Sequence, residues 1–272
     1  MKDAEKILVI GDVHGCLPTL EKLLDQVDTN IPLLFLGDLI NRGPNSLATL
    51  RLIKSMGKRA KCLLGNHDMH LLATAAGSCK ANRRDTIEEI LKAKDADDLI
   101  DFVRHQPLLF QWKDYTFVHA SIDPAWSLDE AKNLAHEVQT HLRDKHWKSY
   151  LQHMYGKDLW DPSLKGDARM RAILNGFTRI RFVDKDGIPD YKIKEGLLSK
   201  PEHLMPWFEC PVRKTKNDKI VFGHWSTLGL VVTEKAIALD TGCVWGGALS
   251  AIELPSRKVI SIKSPQYQDP LS

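Results

Sequence analysis

Short runs of apolar residues punctuate this chain, and five of them end at a small residue or turn followed by a polar group. Ile7-Leu8-Val9-Ile10 leads into Gly11-Asp12-Val13-His14, Leu33-Leu34-Phe35-Leu36 into Gly37-Asp38, and Cys62-Leu63-Leu64 into Gly65-Asn66-His67-Asp68. Tyr115-Thr116-Phe117-Val118 leads to His119, and Ile220-Val221-Phe222 to Gly223-His224. Runs this short, rich in Val, Ile and Leu, read as buried strands. Between them the period changes to that of a helix. Leu17, Leu20, Leu23, Leu24 and Val27 share one helical face, and Leu47, Leu50 and Ile53 share another in a helix starting at Ser46. A third helix is expected over Met69 to Ala76, leaving Gly65-Asn66-His67 as a turn. Strand–helix alternation of this kind implies parallel strands with right-handed crossovers.

The middle of the chain is more helical. Leu99, Ile100 and Val103 line one face of Asp95 to His105, which Pro107 stops, and Ser127-Leu128-Asp129-Glu130 is a capping box opening a helix that carries Leu134 and Val138. From about 144 to 215 the periodicity fades while Trp, Tyr, Gly and Pro accumulate. That stretch reads as a helical or irregular cap, a substrate-binding insert within one domain spanning 1–272. The last quarter reads as strands at Lys219–Phe222, Leu230–Thr233, Ala236–Leu239, Ala248–Leu254 and Val259–Ile262, mostly in antiparallel pairs. The expected fold class is therefore α/β, an α/β/β/α sandwich.

Composition narrows the setting. The 272 residues are 43% hydrophobic and 27% charged, as in an ordinary globular protein, and 38 basic against 35 acidic residues leave a net charge of +3. That balance is too even to argue for nucleic acid. Five cysteines, odd in number and without a C-x-x-C pair, argue against a disulfide framework or thiolate zinc site and for a reducing compartment. No signal-peptide core or membrane span is recognisable, so a cytoplasmic location is expected.

Chemistry enters through the residues after the strands. Asp12, His14, Asp38, Asn66, His119 and His224 comprise two carboxylates, one amide and three imidazoles. This set suits manganese, iron, cobalt or zinc and is too rich in nitrogen for calcium or magnesium alone. Asp12 and His14 can reach one cation, and Asp38 is placed to bridge it to a second. Two divalent cations against two carboxylates leave a positive site that attracts a phosphoanion. Held ~3.5–4 Å apart, such cations orient nucleophile and phosphoryl oxygens and lower the pKa of water towards ~7. Arg42, four residues after Asp38, can fork onto phosphate, and Arg179 or Arg181 could be a second clamp. His67 is the candidate proton donor to the leaving oxygen, oriented by Asp68 or Asn41.

Taken singly these signals have plainer readings. A Gly-Asp after a strand is usually a turn, and a buried histidine is usually structural; the ordered set of five is what selects a metal site. His136, His141, His146 and His153 step off any helical face and read as solvated. Most of the seven tryptophans read as packing, with room for one or two to stack on a purine. Arg83-Arg84 and Lys214–Lys216 read as solvated faces.

Gly-Asp-x-His-Gly, Gly-Asp-x-x-x-Arg-Gly and Gly-Asn-His-Asp, with distant His119 and His224, resemble the calcineurin-like metallophosphoesterases of the phosphoprotein-phosphatase superfamily. Within it the chain resembles the bacterial symmetrical bis(5′-nucleosyl)-tetraphosphatases. That likeness is carried by His119-Ala120-Ser121-Ile122, Met154-Tyr155-Gly156, Asn175 to Phe182, Pro206-Trp207-Phe208, Phe222-Gly223-His224-Trp225 and Leu239-Asp240-Thr241-Gly242-Cys243. The resemblance implies a hydrolase with two divalent metal ions, Mn2+ or Co2+, that cleaves diadenosine tetraphosphate into two ADP by in-line attack of metal-bound hydroxide. Asp12, His14 and Asp38 would hold one metal, and Asp38, Asn66, His119 and His224 the other. His67 would donate the proton, while Arg42 with Arg179 or Arg181 would bind phosphate.

Two positions depart from the pattern. Asn41 stands where protein phosphatases carry Asp, which weakens that reading, and Ser121 stands where Gly is common, adding a hydroxyl beside the second metal. Alternative substrates for the same chemistry are phosphoserine or phosphothreonine proteins and dinucleoside-polyphosphate caps on RNA 5′ ends. The expected partner is a small dinucleoside polyphosphate.

Overall fold

A computed structural model of the chain describes residues 1, 3–193 and 196–269. Strands β1 (Ile7–Ile10), β2 (Leu33–Phe35) and β3 (Ala60–Cys62) alternate with helices α1 (Leu17–Leu24), α2 (Ser46–Ser55) and α3 (Asn66–Ala75). Helices α4 (Glu88–Lys92) and α5 (Ala96–Arg104) precede a hairpin of β4 (Leu109–Trp112) and β5 (Tyr115–Val118). Then come α6 (Leu128–Arg143), α7 (Trp147–Tyr150) and α8 (Gly166–Thr178), followed by β6 (Phe182–Val183), β7 (Pro189–Asp190) and β8 (Met205–Pro206). The order closes with β9 (Lys219–Phe222), β10 (Val231–Val232), β11 (Ala236–Ala238), β12 (Ala248–Leu254) and β13 (Lys258–Lys263).

Two five-stranded sheets result, ordered β13-β12-β1-β2-β3 and β10-β11-β9-β5-β4. The unbroken apolar run of β1 follows from this layering, because each of its faces meets a different core. Ile7 and Val9 join Leu34, Leu36, Phe117, Val221, Ile237 and Ile252 between the sheets. Leu8 and Ile10 join Leu20, Leu23, Leu50 and Ile53 from the helices outside. Successive strand side chains point to opposite faces, so a strand covered on both sides loses its polar alternation. Each fully buried aliphatic side chain there contributes roughly 1.5–3 kcal/mol. The α/β/β/α sandwich is thus the arrangement that buries both faces of the central strands, while the edge strand β13 keeps exposed positions.

Parallel pairing holds where the chain predicts it: β1 runs parallel to β2, and β2 to β3. The last quarter is less uniformly antiparallel than expected. β12 does pair antiparallel with β1 and β13, but β9 is parallel to both β5 and β11. The segment from His224 to Lys235 is long enough for the crossover that parallel neighbours require. The consequence is functional, since the C-terminal ends of β5, β9 and β11 then lie along one edge.

Helix α3 starts at Asn66, three residues before the expected start at Met69. Asp68 in its first turn accepts the Gly65 N–H at 2.9 Å, which closes the helix N-terminus around the residues read as a turn. In α6 the capping box forms as read, with Glu130 N–H donating to Ser127 Oγ at 3.2 Å and Ser127 N–H to Glu130 Oε2 at 2.7 Å. Within 144–215, α7, α8 and the small sheet β7-β6-β8 supply the main ordered elements. Asn175, Gly176, Phe177 and Thr178 are all buried, so the end of α8 has no solvent-exposed face to give a periodic signal. A Cβ on Gly176 would strike the Trp126 ring, whose centroid lies 5.0 Å from that of Phe177. Among the described residues no helix is long and apolar enough to cross a membrane.

Candidate active site

The strand-end residues from both sheets converge. Asp12 and His14 follow β1, Asp38 follows β2, Asn66 and His67 open α3 after β3, His119 follows β5 and His224 follows β9. His14 and Asp38 cluster with His67, and Asp38 clusters with His119 and His224. Asp38 is common to both groups. Its Oδ2 lies 3.7 Å from His14 Nε2 and 3.5 Å from His119 Nε2, while its Oδ1 accepts the His67 N–H at 2.8 Å. Asp12 Oδ2 lies 3.9 Å from His14 Nε2, and both Asp12 oxygens accept the His224 N–H, at 3.0 and 3.1 Å.

The backbone reaches these positions through conformations that L-residues avoid. His14, Asp38, Asn41, Arg42 and His224 have φ of 51°, 48°, 76°, 74° and 67°. Each such residue costs of order 1–3 kcal/mol, borne by the sandwich that holds the loops. Asp68 is one restraint: its carboxylate accepts the N–H groups of Asp38 at 2.8 Å, Leu39 at 3.2 Å and Gly65 at 2.9 Å. That engagement corrects its alternative assignment as the group orienting His67. Asn41 is the neighbour of that ring, with Nδ2 3.0 Å from His67 Nδ1.

The donor set fits a cation. His119 Nδ1 donates to the Leu36 carbonyl at 2.9 Å, and burial holds its pKa down at about 3, so the ring is neutral. Its bare Nε2 then faces Asn66 Oδ1 at 3.1 Å and Asp38 Oδ2 at 3.5 Å. Three electron-pair donors that repel one another in pairs are reconciled by a positive ion among them. His224 Nε2 is buried without a hydrogen-bond partner, as an uncoordinated ligand atom would be. Burial likewise lowers His14 to about 4 and holds His67 and His224 well below the usual histidine range, which keeps His14 and His224 in the neutral form a ligand needs. Asp12 and Asp38 are pushed well above the carboxylate range, first by burial and then by neighbouring carboxylates. Such repulsion is what bound cations relieve.

Asp240, directly after β11 and Leu239, is a buried carboxylate of the site that sequence reading left without a role. Burial lifts its pKa to about 6, and its charge raises those of Asp12 and Asp38. The signal was present: Ala236-Ile237-Ala238-Leu239 before Asp240 is a sixth apolar run ending in a candidate ligand.

Above the cluster opens a cleft of about 650 Å³. Arg42, Arg179 and Arg181 all line it, but differently. Arg179 is exposed at the rim. Arg181 lies deep, donating to the His224 carbonyl at 3.3 Å, and burial lowers its pKa to about 10 against the opposing pull of Asp240 and Asp38. Arg42 Nη1 lies 3.7 Å from Asp85 Oδ1. Among the described lining residues the aromatic side chains are Tyr155 and Tyr191, and no tryptophan is present; Trp126, Trp207 and Trp225 are buried in the cores. Ser121 turns its hydroxyl away to the Gly176 carbonyl at 2.7 Å, so it does not crowd the cluster. His136, His141, His146 and His153 stay outside, His141 stacking on Tyr150 at 4.3 Å.

Comparison with known proteins bears on this geometry. The family model of calcineurin-like phosphoesterases matches residues 5–229. A symmetrical bis(5′-nucleosyl)-tetraphosphatase of Janthinobacterium sp. (strain Marseille) is 49% identical over 266 residues, 96% of this chain and 97% of that one. Another, from Bordetella pertussis, is 46% identical over 270 residues, 97% of this chain and 98% of its own. A crystal structure provisionally assigned as a diadenosine tetraphosphatase superposes with a TM-score of 0.60 at 23% identity, covering 95% of this chain and 93% of its own. A serine/threonine phosphatase of Saccharomyces cerevisiae gives 0.57 at 15% identity, over 97% of this chain and 81% of its own, which speaks for the fold alone.

Proposed function

The chain belongs to the calcineurin-like phosphoesterases, and within them to the symmetrical bis(5′-nucleosyl)-tetraphosphatases, and from that membership we propose how its site hydrolyses diadenosine tetraphosphate into two ADP. The observation that supports the site assignment is Asp38 Oδ2 standing between His14 Nε2 and His119 Nε2 at the base of an arginine-lined cleft. Asp12, His14 and Asp38 would hold one divalent ion, and Asp38, Asn66, His119 and His224 the other. The nitrogen-rich set favours Mn2+ or Co2+. When bound, the pair supplies a nucleophile at neutral pH and neutralises charge on the phosphoryl oxygens.

The protein's own groups do the rest. Arg181, largely buried and beside the ligands, takes the oxygens of the phosphate under attack, where a guanidinium in lowered dielectric acts most strongly. Arg42 holds the neighbouring phosphate, and exposed Arg179 steers the polyphosphate into the cleft. His67 carries the proton for the leaving oxygen, a contribution of about 10²–10⁴-fold. Residues 144–215 serve as the recognition insert of a single domain, with Tyr155 and Tyr191 offering faces for a nucleobase. The scattered, unpaired cysteines fit a cytoplasmic location. Exposed Lys157, Lys192 and Arg179 along the cleft favour a second substrate of the same chemistry, a dinucleoside-polyphosphate cap whose RNA continues past the rim.

Product analysis after incubation with diadenosine tetraphosphate and manganese tests the reading. ADP as sole product is expected; AMP with ATP would contradict central cleavage. A capped oligonucleotide in parallel separates the two substrates.

A further inference from the structure

Leu159, Ile188 and Val212 are large apolar side chains left 44%, 47% and 54% exposed, and three separate segments bring them to one pocket of about 200 Å³. Single exposed apolar residues are ordinary, but several around one concavity mark a surface that binds. The walls draw together at Gly187, whose φ is 82° and where a Cβ would press on Pro124 Cβ at 3.0 Å and Val212 Cγ2 at 3.3 Å. The Lys214 N–H donates to the Pro124 carbonyl at 3.0 Å, which fastens the wall that carries Val212.

Asp123 also lines this pocket and is 3% exposed. Its Oδ1 accepts the Ala125 N–H at 2.9 Å, and among the described residues its Oδ2 has no hydrogen-bond partner. Burial pushes its pKa up to about 6, against the pull of that N–H. A buried acceptor in an apolar pocket calls for a ligand that joins a flat apolar body to an N–H donor. Phosphate does not fit: Lys214, the cation among the described lining residues, lies 3.0 Å from Glu130 Oε2, and Asp186 adds a second carboxylate. The volume is below the ~300–1,000 Å³ of sites for larger ligands and suits one ring system.

The pocket adjoins the active-site cleft along two stretches of chain. Tyr155 lines the cleft and Leu159 the pocket; Tyr191 lines the cleft and Ile188 the pocket. Chain reach over those three or four residues limits each separation to about 10–14 Å. On the first stretch Asp158 is ion-paired with Arg171, and Lys157 beside it is exposed, so a polyphosphate can pass. The symmetry of the substrate supplies the occupant. A dinucleoside tetraphosphate cut at its centre carries a base at each end, and the tyrosines of the cleft account for one.

We propose that this outer pocket is the second nucleobase subsite, in which Leu159, Ile188 and Val212 enclose a purine ring and Asp123 Oδ2 accepts from its exocyclic amino group. The proposal rests on the tetraphosphatase reading above. It makes the pocket the element that favours substrates with two nucleosides over those with one.

Ile188→Glu and Val212→Glu alter exposed side chains outside the cores. With manganese, each should raise the KM for diadenosine tetraphosphate about 10-fold while kcat stays within about 3-fold. Adenosine 5′-tetraphosphate has one nucleoside, whose base takes the tyrosine site, and its inhibition constant should change less than about 2-fold. An unchanged KM, or equal losses for both ligands, overturns the proposal. Photolabelling reads the same contact without turnover. The wild type is irradiated in chelator with bis(8-azidoadenosine) tetraphosphate and cut with trypsin, which separates Ser149–Lys157 from Asp158–Lys165. Both peptides should carry label, and Val212→Glu should remove it from the second. Label on the first alone, or on neither, overturns the proposal. A wild type labelled on both that releases no ADP refutes instead the function proposed above.

Discussion

Replacing Asp240 by Asn separates what this carboxylate does to the fold from what it does for the metals. Asp240 is buried, and burial raises its pKa from 3.8 to about 6, against the Gly242 N–H bond and Arg181, which pull the other way. With the folded pKa above the unfolded one, the metal-free native state holds the proton more tightly. The stability this lends is complete below about pH 4 and is lost as pH rises through about 6. At about 1.4 kcal/mol per pKa unit, the loss reaches about 3 kcal/mol. Asparagine keeps an acceptor for Gly242 and cannot ionise. In chelator, Asp240→Asn should therefore match the wild type near pH 4 and exceed it by about 3 kcal/mol at pH 7. Urea unfolding across that range measures the difference. The comparison also cancels the buried histidines, whose depressed pKa values make stability rise with pH between roughly 4 and 6.5. With manganese present the advantage should shrink or reverse, because the charge removed is one that favours cations. A variant no more stable than wild type at pH 7, or equally stabilised at pH 4, refutes the reasoning.

Three further outcomes are expected. Asp38→Asn should abolish turnover with an unchanged far-UV spectrum, and wild-type activity in that variant would remove the two-metal site. His67→Ala should lower kcat by about 10²–10⁴-fold while metal content, read by elemental analysis, stays the same; loss of metal would instead make His67 a ligand. Gly223→Ala sets a methyl against Asp12 Oδ1, so manganese affinity by calorimetry should fall about 10- to 100-fold, and an unaltered isotherm would show that the loop yields.

The site was legible in the sequence wherever one strand end supplied one ligand. Asp12, Asp38, His119 and His224 follow apolar runs, and the structure gathers them. Asp240 escaped although it obeys the same rule, since its strand is short and sits in a quarter read for its turns. Asp123 could not be found that way: it lies in a loop, and its importance comes from Leu159, Ile188 and Val212, more than thirty positions away. Asn66 and His67 were placed in a turn because the Asp68 side chain, which starts α3 early, acts through bonds to backbone that no periodicity records. The parallel pairing of β9 escaped for a related reason, as strand direction depends on the link to β11 and not on the strand's own residues. Near α8 the missing pattern was itself informative, because a helix end buried all round has no amphipathic stripe.

The ligands are drawn from both sheets, Asp12, Asp38 and Asn66 from one and His119 and His224 from the other. In a growing polypeptide this sets an order of events. The first sheet cannot be finished until β12 pairs with β1, and the last histidine leaves the ribosome after four-fifths of the chain. A fragment that stops before His224 is a half-built pocket, unable to draw on a nucleotide pool it was not yet meant to touch. Catalytic competence therefore arrives late in synthesis, with the joining of the sheets.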